Sequence, residues 1–148
     1  MKLSQALKHK NRLAGEIVAQ QRILSRENSR RNDNPSKVNV EAVFTKIIDL
    51  STQLGSLKAA IAVANVPIYP KIERMAELKA RITFIKGLNK REGIEIEPIG
   101  ANQTKEFTWK AFITEEQADK EIAALQSEID KLQDEVDAFN ATTSIQVV

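Results

Sequence analysis

The sequence predicts a mainly α protein: an elongated antiparallel helical bundle or coiled coil of about four helices, with one β-hairpin inserted between the third and the fourth. Three observations carry this reading. Long stretches place apolar residues three and four apart, the spacing of a single helix face. Five Gly and four Pro in 148 residues are too few for the many turns of an all-β fold. One short segment, about 93–113, instead alternates with a period of two, the signature of strands. The length suits one helical domain over 1–148, since domains commonly run to roughly 100–150 residues. A composition 42% hydrophobic and 28% charged provides both a core and a wetted surface.

The first helix, about 2–30, carries Leu3, Leu7, Ala14, Ile17 and Leu24, with Ala6, Leu13, Val18 and Ile23 broadening the stripe. A stripe this wide touches more than one neighbour. The polar run from Asn28 to Ser36 ends it, because Asn, Asp and Ser compete for backbone hydrogen bonds and Pro35 disfavours helix just before it. A second helix, about 39–65, holds Val40, Val43, Ile47, Leu50, Leu54, Leu57, Ile61 and Ala64 at alternating spacings of three and four, a coiled-coil seam longer than three heptads. Pro67 and Pro70 then impose a corner. A third helix, about 71–89, presents Ile72, Met75, Leu78, Ile82 and Ile85 and exits between Gly87 and Gly93.

Within the period-two segment, Ile94 and Ile96 lie in one run and Phe107, Trp109, Ala111 and Ile113 in another, separated by Pro98-Ile99-Gly100-Ala101-Asn102-Gln103. An antiparallel hairpin is the simplest arrangement. Thr114-Glu115-Glu116-Gln117 fits a capping box and starts a fourth helix, about 114–140. Its seam is Ala118, Ile122, Leu125, Ile129, Leu132, Val136 and Phe139. The tail, 141–148, is extended in character; it adds a strand to the hairpin or stays loose.

Charge is unevenly spread. Residues 1–38 carry nine Lys/Arg against three Asp/Glu, whereas residues 114–148 carry two against nine. Along the last seam the flanking acids Glu121, Glu128 and Glu135 have no basic counterpart on their own helix, so they call for a basic neighbour. Lys8, Lys10, Arg12, Arg22 and Arg26 of the first helix supply one.

The absence of Cys and a single His remove thiolate chemistry, Cys-ligated zinc and most Ser/His arrangements. No phosphate-binding loop or dinucleotide fingerprint occurs. The sequence therefore offers no catalytic, cofactor-binding or metal-ligating residues, and neither an enzyme nor a bound cofactor is expected. Glu95 and Glu97 share a strand face, which reads as solvated carboxylate rather than a cation site. Interaction candidates remain. Phe107, Trp109 and Phe112 on the hairpin offer aromatic anchors, unless they serve to pack the hairpin onto the helices. Lys8, Lys10, Arg12, Arg22, Arg26, Arg30 and Arg31 form the basic end, which faces either the acidic end or a nucleic-acid backbone.

Met1-Lys2-Leu3-Ser4-Gln5-Ala6-Leu7, the central Ile61-Ala62-Val63-Ala64-Asn65 followed by Met75-Ala76-Glu77-Leu78-Lys79-Ala80-Arg81-Ile82, and the closing Phe139-Asn140-Ala141-Thr142-Thr143 resemble a family of small bacterial helical proteins of unknown function, some labelled septicolysin. That label implies membrane action, and the resemblance carries over no site residues. The residues themselves point to a non-enzymatic scaffold or protein-interaction module, cytoplasmic, not inserted in a membrane, and partnered chiefly with itself as a homo-oligomer. A prefoldin-like holdase chaperone and a nucleic-acid binder acting through the basic first helix are the alternatives.

Overall fold

The computed structural model describes residues 1–146. The order is α1 (Leu3–Glu27), α2 (Val40–Asn65), α3 (Tyr69–Lys86), β1 (Gly93–Gly100), β2 (Gln103–Trp109) and α4 (Glu115–Thr142), making the chain 66% helical with a two-stranded antiparallel hairpin between α3 and α4. It divides into two compact units. One comprises Met1–Tyr69 with Asp137–Val148, and the other Pro70–Val136.

In the first unit α1 and α2 pack through Leu3, Ala6, Leu13, Ile17, Leu50, Leu57 and Ile61, joined by Ile145 from beyond α4. Each such residue contributes roughly 1.5–3 kcal/mol when fully buried, before ordering costs. The helices run in opposite directions: Leu24 and Asn28 border one recess with Val40 and Phe44, while Lys10 borders another with Ile61 and Asn65. No member of the α2 seam from Val40 to Ala64 is exposed. On α1 the heptad series Leu3, Ala6, Lys10, Leu13, Ile17, Gln20, Leu24 and Glu27 has no exposed member and includes three polar residues, with Leu7 and Ile23 half-buried beside it. Ala14 and Val18 are exposed, so α1's broad stripe is only partly used within the chain.

The loop between these helices begins earlier than the sequence implied. Glu27 is buried at the end of α1, accepting hydrogen bonds from the Ser36 hydroxyl at 2.8 Å and from Arg26 Nε at 2.8 Å. It thereby ties the loop back onto the helix, and α1 stops there rather than at residue 30. Asn39 caps α2 by accepting from the Ala42 amide.

The described part of the tail pairs with the N-terminus. Ala141 and Thr142 extend α4 by a half-turn, after which Ser144 bridges Lys2 in antiparallel fashion. The Leu3 amide donates to the Thr143 carbonyl and the Ile145 amide to the Met1 carbonyl, both at 2.9 Å. Lys2 Nζ donates to the Thr142 carbonyl, placing a cation at the negative end of α4. Val147 and Val148 lie outside the described residues.

In the second unit Leu78, Ile82 and Ile85 of α3 meet Ala118, Leu125 and Ile129 of α4, flanked by Ile122 and Leu132. The α4 seam, like that of α2, has no exposed member from Ala118 to Phe139. Pro70 sits in the first turn of α3, where its missing amide donor has no partner to lose, so this helix starts before the second proline rather than after it. It ends at Lys86, short of residue 89, because Gly87 turns out of it and Lys90 Nζ satisfies the Ile85 carbonyl at 3.1 Å. The capping box at Thr114 forms as the sequence indicated: the Gln117 amide donates to Thr114 Oγ1 at 3.2 Å and the Thr114 amide to Gln117 Oε1 at 3.1 Å.

The hairpin pairs Gly93 with Trp109, Glu95 with Phe107 and Glu97 with Lys105. Gly93 has φ +86°, a left-handed conformation that costs glycine least. The second strand stops at Trp109, so Ala111, Phe112 and Ile113 belong to the connection into α4. Neither strand contains a fully buried residue.

Candidate interaction surfaces

The acids of α4 find their cations on α3. Lys71 pairs with Glu135, and Arg74 Nε donates to Glu128 at 2.6 Å. This corrects the assignment of Lys8, Lys10, Arg12, Arg22 and Arg26 as the complement of that helix. The physical reason is that α3 shares α4's seam and sets Lys71 and Arg74 beside it, whereas α1 shares the seam of α2.

The basic residues of the first segment are instead engaged locally or exposed. Arg26 and Arg30 flank Glu27, and Arg31 pairs with Asp33. Arg12 donates to His9 Nδ1 at 3.1 Å, so that ring nitrogen accepts. Lys8 and Arg22 are exposed, and Lys10 lies half-buried at a seam position. The neighbouring cations hold the Glu27 carboxyl below its ordinary pKa, through the Arg26 and Ser36 hydrogen bonds. Lys46 does the same to Glu16, by a 2.9 Å ion pair across the α1–α2 contact.

On the hairpin, Arg91 lies 4.8 Å from the centroid of the Trp109 ring and 3.8 and 3.5 Å from Glu95 and Glu97. The two glutamates thus share a face, as alternation requires, and the cation between them is a guanidinium. The Trp109 ring is partly covered, and its indole N–H is buried without a hydrogen-bond partner. Such a group costs about 1–3 kcal/mol. Phe107 sits on the same face under Lys105. Phe112, 89% exposed, does not join them. Ile94 and Ile96 occupy the opposite face and are also uncovered. Among the described residues no group of three or more His, Cys, Asp or Glu side chains converges on a common metal position.

A larger surface escapes a reading based on the seam alone. On α2 a second series, Phe44, Ile48, Ser51, Gly55, Ala59, Ala62 and Val66, repeats at spacings of three and four, and every member is exposed. Phe44 is 54%, Ile48 50% and Val66 68% exposed. The series contains no charge. Its far end borders a recess of about 580 Å³ lined by Lys10, Lys58, Ala62, Asn65, Val66 and Tyr69. The signal was present in the sequence as a shortage of charge: α2 has four charged residues in 26. It is also long and apolar enough to cross a membrane by length and composition.

No family model, curated protein or solved structure matches this chain.

Proposed function

We propose that the protein is a non-enzymatic helical scaffold that self-associates, with coiled-coil packing in the α1–α2 and α3–α4 pairs and a protein surface as its working part. One observation carries the proposal. One side of α2 is covered, and beside it an uncharged face leaves Phe44, Ile48 and Val66 exposed, large apolar side chains of the kind that mark an interaction surface. Lys46, Asp49 and Lys58 interrupt the helix, and Lys46 is tied to Glu16, which favours a protein neighbour over lipid. The septicolysin-type resemblance is compatible with such a module, since its family is one of small helical proteins. A cytoplasmic setting is part of the same reading.

Sedimentation over a range of protein concentrations tests it. The parent should associate, and the double variant Phe44→Glu, Ile48→Glu should be monomeric with unchanged helical circular dichroism, because both side chains are already half in water. A parent that remains monomeric throughout, or one that floats with phospholipid vesicles instead of associating, would overturn the proposal.

The exposure of Ile94, Ile96, Ile99, Phe112 and Ile113 favours a second reading, a holdase of the prefoldin-like kind that offers its hairpin to unfolded clients. Suppression of aggregation of a reduced, unfolded client, lost on Ile94→Ser with Ile96→Ser, is its expected result. No suppression by the parent removes it.

A further inference from the structure

We propose that two copies of this chain dock through the uncovered side of the α1–α2 pair, antiparallel, with α2 crossing its two-fold mate at Gly55. The inference rests on the self-association reading and supplies its geometry.

The surface involves both helices. By the helical period, Asn11, Ala14, Val18, Gln21 and Ser25 of α1 lie on the same side as the second series of α2, and all five are exposed. The recesses at either end confirm the alignment: Ser25 borders the one with Glu41 and Phe44, and Lys10 the one with Ala62 and Val66. Neither series contains a charged residue. Lys8, Arg12, Arg22 and Arg26 project elsewhere on α1, while Lys10 and Lys58 border the contact at the recess beside Val66.

Its extent suits a dimer. From Phe44 to Val66 the axis rises about 33 Å at 1.5 Å per residue, and two helices packed 8–10 Å apart present a swath about 20 Å wide. That is roughly 650 Å² before side-chain relief, close to the ~800 Å² per partner of a stable interface.

Shape and charge choose the direction. The bulky residues Phe44 and Ile48 lie at one end of the α2 series, with Gly55, Ala59 and Ala62 beyond them. A two-fold centred on Gly55 sets Phe44 over Val66 and Ile48 over Ala62, so a large side chain meets a smaller one and Phe44 enters the recess beside Tyr69. A parallel pair would stack Phe44 on Phe44 and leave the small residues facing a gap. It would also set Glu41 on Glu41 and Lys58 on Lys58; among the described residues neither has an ion-pair partner to offset this. At the crossing point Gly55 has nothing within 4 Å of a built Cβ.

The chain has no Cys, so single-cysteine variants report position cleanly. Under mild oxidation Gly55→Cys should convert most of the protein to a disulfide dimer, since a disulfide needs Cα atoms about 4.4–6.8 Å apart. Gly15→Cys, equally unobstructed but turned away on α1, should stay uncrosslinked. Ser51→Cys and Ala59→Cys should each fail to crosslink alone and should crosslink when mixed and refolded together. A parent that associates while Ser51→Cys crosslinks to itself would overturn the antiparallel inference and leave self-association standing. The same holds if Gly55→Cys crosslinks no more than Gly15→Cys. A parent that never associates defeats both.

Discussion

α2 and α4 carry nearly the same seam on very different helices. Both cover a heptad row with no exposed member, Val40 to Ala64 in one and Ala118 to Phe139 in the other, although in α4 the row runs through charged surroundings. Outside the row α4 is rich in Asp, Glu and Lys, and two of its acids are answered by Lys71 and Arg74. Outside its row α2 offers Phe44, Ile48, Ala62 and Val66 to water. A seam tells where a helix packs within its own unit, while the residues beside it tell whether packing ends there.

The largest effects should come from the seams and should be alike in the two helices. Leu57→Ala and Leu125→Ala, at 1% and 5% exposure, should each lower the stability of their unit by about 3 kcal/mol in urea unfolding. A negligible loss at Leu57 would break the equivalence. The outer faces should then separate them. Ala62→Lys, which sets a charge against Ile48 of the mate, should weaken self-association by at least about thirtyfold, whereas Ala124→Lys on the exposed side of α4 should leave the sedimentation profile unchanged.

Smaller effects sharpen the contrast at the helix ends. Thr114→Ala removes an acceptor for the Gln117 amide and should cost about 1 kcal/mol, read by thermal or urea unfolding. Glu27→Gln tests the end of α1. Because the Glu27 pKa is lowered by folding, its contribution is complete above the ordinary glutamate range and is lost as pH falls through the folded value. The variant should therefore be less stable than the parent at neutral pH, and the two should converge on acidification. A constant difference across the acid range would mean that Glu27 acts through shape rather than charge.

Much of this architecture was legible because its causes are local. The hydrophobic period placed all four helices, the two prolines placed the corner after α2, and Thr114 with Gln117 placed the start of α4 to within a residue. Errors gathered where a distant contact overrode a local preference. The α1 seam runs through Lys10, Gln20 and Glu27, which no apolar pattern could mark, and Ala14 and Val18 fall outside it. The extended tail found Met1–Leu3 rather than the hairpin, since that pairing also buries Leu3 and Ile145. The aromatic cluster shrank to Trp109 and Phe107 once β2 ended before Phe112.

By itself the sequence determined which residues could leave water, because burial of an apolar face is enforced at every turn of a helix and needs no knowledge of the partner. Only the tertiary structure decided which helix answers which: α3, and not the equally basic α1, neutralises Glu128 and Glu135. Exposed ion pairs contribute roughly 0–1 kcal/mol each, too little to direct packing. They form wherever the burial of Leu, Ile and Val has already brought the chains together.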